Sequence, residues 1–181
     1  MSTRDEIITA LAAQRQRVED WFQALPDAEM EREVTESEVA GAAMWTPKDH
    51  LAHVLGVERF FQGAIKRALD GVDDPLGFFT QTGSDDPAAH SDLINQANER
   101  GAIRYRAEPA AALLARFAEA RQATLALLDT LDDARLAQPV AHSPYGADTT
   151  IGSLFATVAS HGVRHIRWLE GAVAGRDAWS E

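Results

Sequence analysis

A chain of 181 residues is enough for one domain of ordinary size. With 45% hydrophobic and 25% charged residues, 12 Gly and 7 Pro, it is neither collagen-like nor low-complexity. Cysteine is absent, which excludes disulfide frameworks, cysteine zinc sites, thiolate nucleophiles and iron–sulfur clusters, so any metal must sit on His and carboxylate. The 17 Lys and Arg against 28 Asp and Glu leave a formal charge of −11, the wrong sign for a nucleic-acid or anionic-membrane partner. No run reaches the roughly 18 apolar residues of a spanning helix, and the polar start Met1–Glu6 lacks the apolar core of a signal peptide. The expectation is a cytoplasmic protein forming a single domain over residues 1–181, with homodimerisation left open.

The first predicted helix runs from about Thr3 to Leu25. Thr3 and Glu6 have the spacing of a capping box, Ile7, Leu11, Val18, Trp21, Phe22 and Leu25 recur at helical intervals, and Pro26 stops the run. Residues 27–44 are acidic and lack a strong period, so they read as a long connection with room for a short helix. A second helix opens at Trp45-Thr46-Pro47-Lys48-Asp49, where Thr46 caps, Pro47 suits the first helical position and Asp49 places a negative charge in the first turn. It continues through Leu51, Val54, Leu55, Phe61, Ile65 and Leu69 to Asp70-Gly71. Residues 72–87 read as a loop with Phe78-Phe79 as an aromatic anchor, and a weaker helix spans about Pro87 to Arg106, interrupted near Gly101.

Glu108-Pro109 restarts a strong helix through Leu113, Leu114, Phe117, Leu127, Leu128 and Leu131. Residues 132–148 form another connection with turns at Pro139, Pro144 and Gly146. The last helix begins near Thr149-Thr150 and runs to Gly175. Four long amphipathic segments without a strand period predict an all-α four-helix bundle with long crossover connections and one additional short helix.

Chemistry concentrates on the last helix. At about 100° per residue, Leu154, Val158, His161, His165 and Leu169 share one stripe, so both histidines point into the bundle one turn apart. That placement suits a pair of metal ligands, and equally two core histidines bonded to side chains or water. On the second helix, His50 lies nearer the middle of the apolar face and His53 on its flank, so the helical wheel alone favours His50 as a third ligand. Glu58 also falls on the apolar side. A structural hydrogen bond to another helix is the first reading for it, with an acceptor for a ligating imidazole, or a base acting on water, as alternatives. His90 and His142 fall in polar or turn segments and read as exposed. Arg164 flanks the inward stripe, where it would meet an anionic substrate at a pocket mouth, whereas Arg167 points to solvent. Trp45, Trp168 and Phe78-Phe79 are candidate pocket walls or plain packing.

The string Trp45-Thr46-Pro47-Lys48-Asp49-His50-Leu51-Ala52-His53, followed by Val54-Leu55-Gly56-Val57-Glu58, resembles the second-helix motif of the DinB/YfiT-like superfamily. Ser160-His161-Gly162-Val163-Arg164-His165-Ile166 resembles its fourth-helix motif. The resemblance implies a four-helix bundle with a three-histidine divalent-metal site, and it assigns His53, His161 and His165 as ligands in place of the wheel's His50. It also implies a divalent metal (Zn, Ni, Fe or Mn) and a low-molecular-weight thiol of the mycothiol or bacillithiol type as cofactors. The implied activity is a metal-dependent thiol S-transferase or hydrolase acting on small electrophilic molecules. The alternative it implies is a non-catalytic small-molecule-binding or self-protection protein with a structural metal. Mycothiol-dependent isomerases in the same superfamily carry a further C-terminal domain, and some have Glu where this chain has His161, which disfavours that activity here.

Overall fold

A computed structural model describes residues 3–173, and the regular elements within them are helices: α1 (Arg4–Gln23), α2 (Asp27–Met30), α3 (Pro47–Leu69), α4 (Phe78–Thr82), α5 (Pro87–Arg104), α6 (Ala110–Asp129), α7 (Asp133–Leu136) and α8 (Ile151–Val173). The predicted end of the last helix at Gly175 lies outside the described residues. No strand forms among these residues; Thr35 with Trp45 and Pro139 with Thr150 make isolated antiparallel bridges. The predicted capping box of α1 is present, and the predicted cap at Thr46 is part of a second one. Thr3 and Glu6 open α1, and Thr46 and Asp49 open α3 with Pro47 in its first turn, each pair satisfying two orphan backbone donors reciprocally.

The four long helices α1, α8, α3 and α6 are neighbours in that order around a ring, with α5 laid against the outside of α3. Their directions follow from paired residues. Gln14 bonds the Val158 carbonyl and Arg17 pairs with Glu170, so α1 and α8 are parallel. Glu58 pairs with Arg121 and Gln62 with Thr124, which makes α3 and α6 parallel as well. His50 meets His165 and His53 meets His161, so α3 and α8 are antiparallel. Parallel neighbours joined in sequence need a connection that returns the full length of the bundle. Residues 70–109, which carry α4 and α5, supply it.

The interior divides into two apolar regions. One gathers Ile7, Leu11, Phe61, Ile65, Leu128, Ile151 and Leu154, and the other Val18, Phe22, Leu51, Leu55, Phe117, Ile166 and Leu169. Between them lies a polar layer that includes Gln14, Glu58, Arg121 and Thr124, all buried. Gly162 of α8 lets α1 come close: a Cβ there would fall 2.4 Å from the Gln14 amide nitrogen and 2.8 Å from a Val18 methyl.

Expectations for two histidines are corrected around the added helix of the second crossover. That helix, α5, is 18 residues long and fills the span expected over Pro87–Arg106. Its apolar pattern is weak because what it buries is His90, Glu99 and Ala102 rather than a leucine stripe. His90 is fully buried, stacked on Phe78 and donating from Nε2 to the Ser84 carbonyl at 2.7 Å. His142 is half-buried, stacked 4.1 Å from Phe79 and bonded to Asp85 at 2.6 Å, which raises its pKa.

Candidate metal centre

The start of α3 and the middle of α8 bring four imidazoles together. His161 and His165 stand one turn apart on α8, and their Nε2 atoms are 3.1 Å apart. The Nε2 of His53, from α3, lies 2.9 Å from that of His161. One ligand atom from each of the three lies within 4.8 Å of the others. His53 and His165 are 4% and 3% exposed. Burial, aided by neighbouring imidazoles and the Arg164 guanidinium, lowers every pKa in the group: His53 falls to about 4, and His161 and His165 fall well below the ordinary value. All three rings are neutral near pH 7, the form in which imidazole ligates.

These nitrogens fit a cation better than they fit one another. A neutral imidazole has one N–H and one lone pair, so each Nε2 makes one good hydrogen bond in the ring plane. His161 Nε2 faces two imidazole nitrogens at once, and only one of those contacts can be a hydrogen bond. An ion at the common point accepts all three lone pairs. Metal–nitrogen bonds of about 2.0–2.1 Å put ligand nitrogens about 2.9 Å apart at octahedral angles and about 3.3 Å apart at tetrahedral ones. The observed 2.9 and 3.1 Å fall in that range.

The fourth imidazole, His50, lies behind the group. Its Nδ1 is 2.8 Å from His165 Nδ1, and its Nε2 is 2.7 Å from Thr35 Oγ1. Once the His165 Nε2 lone pair faces the centre, its proton must sit on Nδ1, which donates to His50 Nδ1. His50 then carries its own proton on Nε2 and donates it to Thr35. This chain fixes the tautomer and plane of His165, as an outer hydrogen bond does for a metal-ligating imidazole. Burial pushes His50 down to about 3, so it stays neutral in this role. The bridge in which Trp45 N donates to the Thr35 carbonyl at 2.8 Å holds the Thr35 hydroxyl in place.

Two tryptophans wall the imidazoles. Trp45 is edge-on to His50 at 5.2 Å and tilted against His53 at 5.4 Å, and its indole N–H donates to Glu99 of α5 at 2.7 Å. Trp168 is edge-on to His165 at 4.6 Å. Ser37 donates to the same Glu99 oxygen at 2.6 Å, so α5 and the acidic connection are both tied to this wall.

The centre opens into two cavities. One of about 130 Å³ is lined by Glu36, Glu38, Trp45, Trp168 and the three histidines. The other, about 420 Å³, lies between α3, α4, α5 and α8 and is mainly apolar; His53, His161, Asn98 and Arg164 border both. The structure does not bring Glu58 here. Its carboxylate receives Arg121 Nε at 2.8 Å and Nη2 at 2.7 Å together with the Thr124 hydroxyl, within the polar layer between α3 and α6. That is the structural hydrogen bond named first for it, and it leaves no oxygen turned toward the imidazoles. Arg167 is exposed, as its helical position predicts.

The wheel's preference for His50 over His53 has a physical resolution. The middle of a helix face is what the neighbouring helices cover completely, and His50 is 0% exposed. The flank borders the cavities, where an ion and its ligands can arrive, and His53 occupies it. Thr35 carried no signal in the sequence, since it stands in a stretch without period and acts through a backbone bridge.

Residues 11–169 match the DinB superfamily. A crystal structure of an uncharacterised protein from Escherichia coli UTI89 superposes with a TM-score of 0.67 at 16% identity, covering 94% of each chain, which is a likeness of fold. No curated protein matches the chain.

Proposed function

Since the chain belongs to the DinB superfamily, we propose that it is a divalent-metal-dependent enzyme joining a low-molecular-weight thiol, or water, to small electrophilic molecules. The observation that carries this reading is the meeting of two cavities at one cluster of three convergent imidazole nitrogens. A structural metal site is closed, whereas a catalytic one keeps an accessible position beside room for a substrate. His53, His161 and His165 would hold the ion, with Zn, Ni, Fe and Mn the candidates. When bound, the ion supplies Lewis acidity, lowering the pKa of a thiol or water at its open positions.

The chain's own residues do the rest. His50 and Thr35 keep the proton of His165 on Nδ1, away from the centre. Trp45 and Trp168 hold the ring planes and limit water. The larger cavity's apolar walls give an electrophile a place beside the thiol. Glu58 is assigned to holding α3 against α6. A chain without cysteine supplies no thiol itself, which suits an external one. The near-complete burial of His53 and His165 favours a second reading, a non-catalytic binding or self-protection protein in which the metal braces α3 against α8.

The deciding experiment screens the metal-loaded protein with mycothiol, bacillithiol and glutathione against chlorinated and epoxide electrophiles. Turnover that disappears in His53→Ala is the expected result. Stoichiometric metal without thiol binding or turnover, whichever divalent ion is loaded, transfers the assignment to the binding protein.

A further inference from the structure

The larger cavity differs in charge from the rest of the molecule. The chain carries −11 overall, yet no carboxylate appears among the described residues that line this cavity, and two arginines do, Arg100 from α5 and Arg164 from α8. Both arginines are exposed. Arg164 is the more telling. It borders both cavities, and its Nη2 lies 3.4 Å from His161 Nδ1, at the edge of the imidazole cluster. That contact cannot persist as a hydrogen bond when His161 Nε2 gives its lone pair to an ion, because Nδ1 then carries a proton and two donors face each other. The guanidinium, 5.9 Å from the Trp168 ring centroid, is left at the border of the two cavities with donors for an anion there.

Another part of the lining is aromatic. Phe60 and Phe61 of α3, Phe78 of α4 and Tyr145 from the segment before α8 form a connected set, with centroid separations of 5.9 Å between Phe60 and Phe78 and between Phe61 and Tyr145. Phe60 is 37% exposed and Tyr145 50%, which leaves ring surface for a ligand to cover. A cavity of about 420 Å³ falls in the usual range for small-molecule sites.

We propose that this cavity binds an amphipathic organic anion: a flat apolar or aromatic body against Phe60, Phe61, Phe78 and Tyr145, with a carboxylate on Arg164 beside the three histidines. The inference deepens the proposed function, on which it rests, by naming the acceptor as an anionic aromatic or apolar compound. The carboxylate receives charge-assisted donors from the guanidinium. The rings supply the apolar contact, and no acidic side chain lines the cavity to repel the ligand.

The test titrates the metal-loaded protein with 2-naphthoate, its neutral amide and naphthylmethylamine, following intrinsic tryptophan fluorescence and calorimetric heat. Naphthoate should bind about tenfold or more tightly than the amide, with the amine weakest. Arg164→Gln should bring naphthoate and amide to equal affinity, whereas Phe60→Ala should weaken both alike. Equal affinities in the unaltered protein, a preference for the amine, or discrimination that survives Arg164→Gln each overturn the proposal. The last outcome would also reveal a carboxylate held by the ion instead of the arginine. Metal content and thiol turnover are measured on the same samples. Anion preference without turnover sinks the enzyme reading alone, and turnover without anion preference sinks this inference alone.

Discussion

Two polar clusters are buried against α3, and they are built on opposite principles. Toward α6, Glu58 accepts two nitrogens of Arg121 and the hydroxyl of Thr124, and Arg121 spends its remaining reach on the Leu11 carbonyl. Every donor there faces an acceptor, and a charge meets its opposite. Toward α8, three imidazole nitrogens of one kind face each other, and His161 Nε2 has two such neighbours with one hydrogen bond to make. Burial stabilises a cluster whose members complement one another and penalises one whose members do not. The first cluster therefore holds helices together, and the second is an arrangement that could hold a metal ion. Burial alone would not separate them: Arg121 and Glu58 are 0% and 2% exposed, and His53 and His165 are almost as deep.

A crossed pair of variants separates the two most sharply. His161→Ala/His165→Ala should lose all stoichiometric metal by elemental analysis while keeping its helical circular-dichroism spectrum. Arg121→Met should keep the metal but cost about 3–5 kcal/mol in urea unfolding, because it strands the Glu58 carboxylate in the interior. Metal retained in the double variant, or a marginal cost for Arg121→Met, would break the distinction.

A smaller effect belongs to the imidazole behind the centre. His50→Gln should weaken metal binding about 10–100-fold in competition with a chelator, by freeing the tautomer of His165. In that variant the nitrogen resonances of His165 should show both tautomers. An unchanged affinity would leave His50 as packing alone.

A further effect is a slope with pH rather than the loss of one contact. An unfolded histidine takes up a proton near pH 6.5, but in the folded chain His53 resists to about 4 and His50 to about 3. The unfolded state therefore binds more protons throughout that window. The metal-free protein should keep its full stability above pH 6.5 and lose it progressively as the pH falls from there toward 4. Urea midpoints in excess chelator across this range check it, and a flat profile would mean that the imidazoles are hydrated in the absence of metal.

How much of this was legible in the sequence depended on whether the information was local. Helix starts were, because Thr3 with Glu6, and Thr46 with Pro47 and Asp49, act on backbone groups within one turn. The inward direction of His161 and His165 was also legible, since helical periodicity alone sets it. Pairings across the bundle were not. Nothing in the α6 sequence marked Arg121 as the partner of Glu58, because an arginine among alanines and leucines has the same helical signature whether its head reaches solvent or a carboxylate. His90 was misread for the same reason. Its neighbours in sequence are polar, while the Phe78 that covers it comes from another helix. The role of Gly162 was hidden as well, because its meaning lies in Gln14 and Val18 of α1.

The imidazole cluster also has a consequence in time. Its ligand atoms come from residues 53, 161 and 165, so during N-to-C synthesis the centre has one ligand until most of the chain has left the ribosome. Helix α8 is the last of the four long helices to emerge, and it touches both α1 and α3. A divalent ion captured by all three nitrogens therefore reports that the ring of helices has closed. A chain truncated before α8 would have His53 as its lone ligand of the three and nothing opposite to hold an ion.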